Sequence, residues 1–225
     1  MDKAIQILYE DNHLILVNKA VSDIVQGDKT GDVSLDKKIK NFIKERDNKP
    51  GNVYLGLPHR LDRPVSGVVV YTKTSKALSR MNEIFRDGEA TKIYHAIVKD
   101  LPDPRSGLLE NYLRKNEKQN KSYPTSEDAK GAKLARLEYK VKAASDNYHL
   151  LEVQLLTGRH HQIRAQLSNI GSHIKGDLKY GFPRSNKNGG ISLHARSISF
   201  IHPVKKETIF VEAPYPDGDI FGVFV

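Results

Sequence analysis

The chain is a succession of short strand-like runs, most of which are separated only by loops or turn-forming residues. Residues 5–9 and 14–17 are two such runs, and the polar residues 10–13 between them predict a hairpin. The remaining strand-like runs are residues 68–71, 92–98, 137–143, 149–155, 194–201 and 208–211. Helical segments do not alternate regularly with these strands, so the pattern predicts an α+β fold rather than a doubly wound α/β fold.

Three segments show the spacing of amphipathic helices. Ser34 is a suitable N-cap for the first helix, which we expect to end at residues 48–51. The second is predicted from Ser75 and the third from near Gly158. Their apolar faces are Leu35, Ile39, Phe42 and Ile43; Leu78, Met81, Ile84 and Phe85; and Ile163, Leu167 and Ile170.

The segment from Lys115 to Lys133 is polar and rich in lysine, and it contains Pro124 and Gly131. This composition predicts a long excursion between strands rather than packed structure. Two interpretations stay open, because long loops are mobile as often as they are functional. The segment either contacts RNA or is a disordered surface loop.

The charge balance points to a polyanionic partner. The 225 residues carry a formal charge of +9, and the isoelectric point is near 9.5. A phosphate backbone is the commonest partner for such an excess of Lys and Arg, although a lysine-rich surface that only aids solubility gives the same numbers. The absence of cysteine excludes disulfides and thiolate chemistry. With no apolar stretch long enough for a membrane span or a signal peptide, we expect a cytoplasmic protein.

Asp62 is the residue with the clearest chemical signature. It lies within HRLDRPVSGVVVYTKTSKA at positions 59–77, between Arg60 and Arg63 and just before a buried strand. Pro64 disfavours the helical conformation at Arg63, so we predict a short loop at the start of the strand. Two guanidinium groups nearby favour the ionised carboxylate, which suits a nucleophile. The alternative is a turn aspartate that only forms salt bridges.

This stretch resembles the central motif of the RluA-type pseudouridine synthases, which modify RNA. Further blocks resemble the same family in the same order: KIYHAIV at 92–98, TGRHHQIRAQLSNIGSHIKGDLKYG at 157–181 and LHARSISFIHP at 193–203. The resemblance implies the pseudouridine synthase fold, a mostly antiparallel mixed sheet crossed by a basic active-site cleft and flanked by helices and loops. It also implies one catalytic domain over residues 1–225 without an appended RNA-binding domain, and chemistry that needs no cofactor.

The resemblance assigns roles to individual residues. It implies that Asp62 is the catalytic aspartate and that Arg164 pairs with it. It also implies that Tyr94 of the Lys-x-Tyr motif packs against the target base and is a candidate for proton transfer. A strand tyrosine that only packs in the core is the alternative for Tyr94. A surface arginine that binds phosphate is the alternative for Arg164. The RNA contacts that we predict are Arg60, Arg63, Arg159 and Gln162, the last two at the start of the third helix.

A metal site formed by His160, His161, His173 and Asp177 is disfavoured, because adjacent histidines do not share a helix face and no zinc-binding spacing is present. We therefore predict no metal. The same block departs from the family pattern at Gln166, His173 and Lys179. These changes concern loop rigidity and the choice of RNA, since the aspartate and arginine are unchanged.

We therefore predict an RNA pseudouridine synthase that acts as a monomer on large-subunit ribosomal RNA or on transfer RNA. Two alternatives follow from the same residues. The first is a catalytically inactive relative that binds RNA, for which salt-sensitive binding would be the signature. The second is a nucleoside or glycoside hydrolase that uses Asp62, although a clear second carboxylate is missing.

Overall fold

The structure is a computed structural model, and it describes residues 5–27 and 31–224. The chain forms two compact units. Unit one comprises Met1–Ala90 and Arg196–Pro214, and unit two comprises Thr91–Ala195 and Tyr215–Val225. The single catalytic domain over residues 1–225 stays a prediction.

The described residues form ten strands and three α-helices, together with two short 3-10 helices at Leu178–Tyr180 and Ile220–Phe224. The strands are β1 (Gln6–Glu10), β2 (Leu14–Lys19), β3 (Ser66–Thr72), β4 (Thr91–Val98), β5 (Ser106–Asn116), β6 (Lys121–Thr125), β7 (Lys133–Ala144), β8 (His149–Leu155), β9 (Leu193–Ile201) and β10 (Thr208–Glu212). The helices are α1 (Leu35–Arg46), α2 (Ser75–Arg86) and α3 (Gln162–Asn169). Within these described ranges, none of the helices has the length and apolar character needed to cross a membrane.

Unit one is built on a sheet in the order β1-β2-β3-β9, with β10 paired to β9. All seven residues of β3 are buried, as the continuous apolar sequence predicts. Apolar side chains of β2, β3, β9, β10 and α2 form its core, among them Leu16, Val70 and Met81. Thr74 caps α2 by accepting a hydrogen bond from the Ala77 amide at 3.2 Å. Because β3 is buried and lies between β2 and β9, it fixes the end of the loop that precedes it.

Unit two contains strands in the order β4-β8-β7-β5-β6, and each neighbouring pair is antiparallel. In β7, side chains that face the core alternate with exposed ones, as a strand with one solvated face requires. The helix α3 is buried over its first six residues and contacts β5 and β6. The architecture is α+β, as the sequence predicts.

The segment from Lys115 to Lys133 differs from its prediction. Rather than a long unpaired excursion, it completes the hairpin of β5 and β6, and β7 begins at Lys133. The reason is tertiary: Tyr180, far along the chain, accepts a hydrogen bond from the Ser122 amide at 2.9 Å and donates one to the Ser122 carbonyl at 3.2 Å. A hydrogen-bonding partner 58 residues away leaves no local trace in the sequence.

Candidate active site

Asp62 lies on a tight turn of unit one, immediately before β3. The carbonyl of Asp62 accepts a hydrogen bond from the Val65 amide at 3.0 Å, and the Arg63 carbonyl accepts one from the Ser22 amide at 3.1 Å. The side chain of Asp62 is partly buried. The predicted loop at the start of the strand is therefore present, and its backbone is fixed on both sides of Pro64.

His59 fixes the other end of the motif. Its Nε2 accepts a hydrogen bond from the Val70 amide at 2.9 Å, which places the ring proton on Nδ1 in the neutral form. The imidazole also lies against the Phe85 ring of α2, with 4.9 Å between ring centroids. The sequence His-Arg-Leu-Asp is thus attached to both β3 and α2.

The two arginines that flank Asp62 are exposed. Arg63 Nη2 lies 2.8 Å from Asp32 Oδ2, and both side chains are about half exposed. This exposed ion pair contributes little to stability. The RNA contacts predicted for Arg60 and Arg63 stay predictions.

Lys19, which the sequence reasoning did not select, lies directly beside this turn. It is the last residue of β2, it pairs with Gly67 of β3, and only 1% of its surface is exposed. Its ammonium group donates to the carbonyl of Ala20 at 2.9 Å and to that of Arg63 at 3.1 Å. In the sequence it resembles an ordinary polar residue at the end of a strand, so no local signal marks it.

Arg164 and Asp177 form a buried ion pair in unit two. Their side chains are 5% and 1% exposed. Nε donates to Oδ2 at 2.6 Å and Nη2 donates to Oδ1 at 2.8 Å, which is the two-point geometry that orients a guanidinium group most firmly. Asp177 was considered above only as a disfavoured metal ligand. The pairing of Arg164 with Asp62 stays a prediction.

Local structure around Asp177 explains its placement. Gly176 has φ of +88°, a backbone conformation that favours glycine. A Cβ atom there would lie 2.7 Å from the Asn186 side chain and would displace it. The Asp177 carbonyl accepts hydrogen bonds from the amides of Tyr180 and Phe182. The Tyr180 ring then lies 5.0 Å from the Arg164 guanidinium carbon.

The two adjacent histidines belong to a hydrogen-bond network around Tyr180. His161 Nδ1 lies 3.0 Å from the Tyr180 hydroxyl, while His160 Nδ1 lies 2.9 Å from Ser122 Oγ. The two imidazoles stack with centroids 3.8 Å apart. His161 has φ of +53°, and this left-handed residue explains why α3 begins at Gln162 rather than near Gly158. Among the described residues, no cluster of His, Asp and Glu has the arrangement of a metal site.

Burial lowers the pKa of His161 from 6.5 to about 2, and the positive charge of Arg164 acts in the same direction. The unfolded chain therefore binds a proton at this position between pH 6.5 and 2, whereas the folded chain does not, so the free energy of unfolding falls as the pH drops through that range. We expect His161→Asn, which tolerates the left-handed backbone, to reduce this acid-induced loss by about 1 kcal/mol at pH 5. Urea unfolding at pH 7 and pH 5 measures the effect, and equal losses in both proteins would contradict it.

The remaining predicted residues lie in unit two. Tyr94 is buried in β4, where 8% of its surface is exposed. Arg159 is exposed, although its Nε donates to the Leu134 carbonyl at 2.8 Å. Gln162 is 3% exposed, and its amide bonds to the Thr157 hydroxyl, the Arg159 amide and the Arg136 carbonyl. This geometry gives Gln162 a role in shaping the turn before α3; direct RNA contact by Arg159 and Gln162 stays a prediction.

Solved structures identify the fold. The structure of human RNA Pseudouridylate Synthase Domain Containing 4 matches with a TM-score of 0.78 and 24% identity, over 94% of this chain and 89% of that one. Human RNA Pseudouridylate Synthase Domain Containing 1 matches with a TM-score of 0.75 and 23% identity, over 95% and 84% of the two chains. The predicted pseudouridine synthase fold is therefore confirmed.

The sequence identifies the family. The model of the family described as RNA pseudouridylate synthase matches residues 13–169, a range that includes Asp62, Tyr94 and Arg164. The chain is also 33% identical over 216 residues to ribosomal large subunit pseudouridine synthase C of Buchnera aphidicola subsp. Baizongia pistaciae, covering 92% of this chain and 66% of that protein. It is 30% identical over 226 residues to tRNA pseudouridine synthase C of Vibrio cholerae, covering 93% and 90%. The chain belongs to the RNA pseudouridylate synthase family.

Proposed function

We propose that this protein is an RNA pseudouridine synthase that isomerises uridines in ribosomal or transfer RNA, with Asp62 as the catalytic carboxylate. The family match over residues 13–169 carries the proposal. The formal charge of +9 suits a polyanionic substrate. Relatives named for ribosomal RNA and for transfer RNA are both similar to this chain, so both substrates belong to the proposal.

The reaction conserves all atoms and electrons. The bond from uracil N1 to ribose C1′ breaks, the uracil rotates, and a bond forms between C5 and C1′. C5 then loses its proton while N1 gains one. The protein has to supply a carboxylate beside the sugar, a group that moves the proton, and a pocket that holds a flipped nucleotide. We assign Asp62 to the first task, as a nucleophile or as a charge stabiliser, and Tyr94 to the second.

In this proposal Arg164 pairs with the Asp62 carboxylate and fixes its orientation. Arg164 donates to Asp177 through Nε and Nη2, and this buried ion pair fixes the plane of the guanidinium group. A guanidinium group presents five N–H donors, so it can serve two carboxylates at once. Action in the cytoplasm as a monomer is part of the same proposal.

The proposal is tested by incubating the purified protein with ribosomal RNA and transfer RNA from cells that lack the gene, and by mapping pseudouridine at nucleotide resolution. We expect new pseudouridines at a small number of positions. If neither RNA acquires any, while the protein still binds RNA in a salt-sensitive manner, the activity is absent and the protein is an RNA-binding relative.

Tyr94 tests the assignment of the proton-transferring group. We expect Tyr94→Phe to lower the single-turnover rate about 100-fold, because it removes the hydroxyl and keeps the ring. Tyr139→Phe is the matched control: Tyr139 is also a buried strand tyrosine of unit two, and its hydroxyl donates to the Pro104 carbonyl at 2.8 Å. If both variants retain wild-type rates, Tyr94 only packs.

The hairpin of β5 and β6 is the surface for which we propose RNA backbone contact. Lys115 lies near the end of β5 and Lys118 in the turn that follows, and both are exposed. Lys115 Nζ also lies 2.6 Å from Glu117 Oε2 in an exposed ion pair. The turn is held in place because Lys179 Nζ donates to the Asn120 carbonyl at 3.1 Å and His160 Nε2 lies 3.1 Å from Asn120 Oδ1. A turn that is held in place binds phosphate with less loss of conformational entropy than a mobile loop.

We expect the double variant Lys115→Gln, Lys118→Gln to weaken RNA binding and to reduce the salt dependence of log K by about 1 to 2, since each lost phosphate contact removes about 0.7 to 0.9. The double variant Lys37→Gln, Lys44→Gln on α1 removes the same charge from exposed positions and serves as the control. Filter binding between 50 and 200 mM salt, roughly the range over which such contacts are screened, gives both slopes. Equal slopes for the two variants would exclude the hairpin as a contact surface.

A further inference from the structure

The ammonium group of Lys19 is buried beside the turn that carries Asp62. Taking an ammonium group out of water costs several kcal/mol in general, and an apolar side chain of similar length would avoid that cost. The two described hydrogen bonds of Lys19 go to backbone carbonyls of Ala20 and Arg63 rather than to a carboxylate. The burial of the Lys19 ammonium group is therefore unfavourable in itself, which indicates that its hydrogen bonds to the backbone have a purpose other than stability.

The position of Lys19 in the sheet indicates that purpose. Lys19 is the last residue of β2 and pairs with Gly67 at the start of β3, so Lys19 lies at the end of β3 that the Asp62 turn leads into. The Arg63 carbonyl accepts from both the Lys19 ammonium group and the Ser22 amide. The peptide group between Arg63 and Pro64, one residue after Asp62, is thereby held by two donors.

We propose that Lys19 is a positioning residue for Asp62: its protonated ammonium group holds the Arg63 carbonyl and thereby fixes the turn on which the carboxylate stands. This inference rests on the proposed function of Asp62. Lys19 does not contact the reacting atoms in this role. It acts through the backbone of residues 62 and 63.

The charged groups that act on Lys19 set the pH at which this support is lost. Burial lowers the pKa of Lys19 from 10.5 to about 8, and the positive charge of Arg63 acts in the same direction, while Asp23 and Asp62 raise it. Asp23 is itself paired with Lys38 at 3.1 Å, so part of its charge is already compensated. Above about pH 8 the Lys19 amine is mostly neutral, and its hydrogen bond to the Arg63 carbonyl is weaker.

The test compares the full chain in wild-type form with Lys19→Met and Lys19→Arg. Methionine preserves length and volume without charge, whereas arginine keeps its charge throughout the accessible pH range. We expect the amide resonances of Asp62, Arg63 and Val65 to shift with a midpoint near pH 8 in the wild type and to show no such step in either variant.

Rates supply the second readout. We expect the wild-type single-turnover rate to fall as the pH rises through about 8, and Lys19→Arg to retain its rate above that pH. Below that pH, Lys19→Met should be about 100-fold slower than the wild type, as a small misplacement of the reacting group predicts. Its rate should show no step near pH 8, and its RNA affinity should equal that of the wild type. Because methionine removes a buried charge, its thermal stability should be no lower than that of the wild type.

Lys73→Met is the matched control, since Lys73 also belongs to unit one and donates to a backbone carbonyl, that of Asp11 at 2.8 Å. It should keep both the step in the amide resonances and the wild-type rate. A Lys19→Met protein with the wild-type rate and pH profile, or a wild-type turn without the step near pH 8, would overturn the inference. If the step is present and depends on Lys19 but the wild type forms no pseudouridine, the proposed function fails while the coupling of Lys19 to the turn stands.

Discussion

Replacement of Asp62 by asparagine is expected to lower the single-turnover rate of pseudouridine formation by at least about 1000-fold, because removal of a reacting nucleophile costs this much or more in enzymes generally. Asparagine has nearly the same shape, and the turn is held by backbone groups of residues 62 and 63. The variant should therefore fold and bind RNA as the wild type does. The rate is measured with RNA in which the target uridine carries a radioactive label.

Asp32→Asn is the control for this experiment. Asp32 lies near the same motif through its ion pair with Arg63, but it is half exposed and has no assigned role in the chemistry. Its rate should lie within a few-fold of the wild-type rate, because exposed ion pairs contribute about 1 kcal/mol or less. Pseudouridine formed equally by the Asp62→Asn and wild-type proteins would end the assignment of Asp62.

Arg164 gives the second large effect, on stability as well as on rate. Arg164→Met leaves the Asp177 carboxylate buried without its described partner, so we expect the free energy of unfolding to fall by about 3 to 5 kcal/mol. Arg164→Lys keeps the charge and loses the planar two-point geometry, and we expect it to lower the rate about 100-fold with a smaller loss of stability. Urea unfolding and single-turnover kinetics on both variants separate the two effects.

Arg136→Lys serves as the control, since Arg136 forms an exposed ion pair with Glu110. It should change stability by less than about 1 kcal/mol. A double-mutant cycle with Asp177→Asn tests whether Asp177 acts through Arg164. Once Arg164 is lysine, the further change at Asp177 should cost little rate, whereas additive losses would show that the two residues act independently.

The parts of the fold that could be predicted from sequence are those whose stabilising contacts are local or periodic. The apolar faces of α1 and α2, with Ser34 before the first helix and Ser75 at the start of the second, locate where both helices begin. The continuous apolar sequence of β3 predicts its buried strand equally well. In contrast, β5 mixes polar and apolar residues, and the hairpin with β6 depends on Tyr180.

The same distinction applies to the site. Asp62 lies within a continuous sequence motif at positions 59–67, so neighbouring residues are enough to identify it as a candidate catalytic residue. Asp177 becomes significant only because folding brings it to Arg164, 13 residues earlier in the chain. Lys19 is significant because the end of β2 lies beside the start of β3, and this strand register is not encoded in any one residue of the sequence.

Unit one is discontinuous in the chain, and this has a consequence for synthesis on the ribosome. Strand β3 has β2 as one neighbour, made shortly before it, but its other neighbour, β9, follows the whole stretch from residue 91 to 192. One edge of β3 therefore stays unpaired while unit two is being translated, and such edges bind other unpaired strands readily. Nascent chains paused in that interval should need chaperone protection, which a mature chain no longer requires.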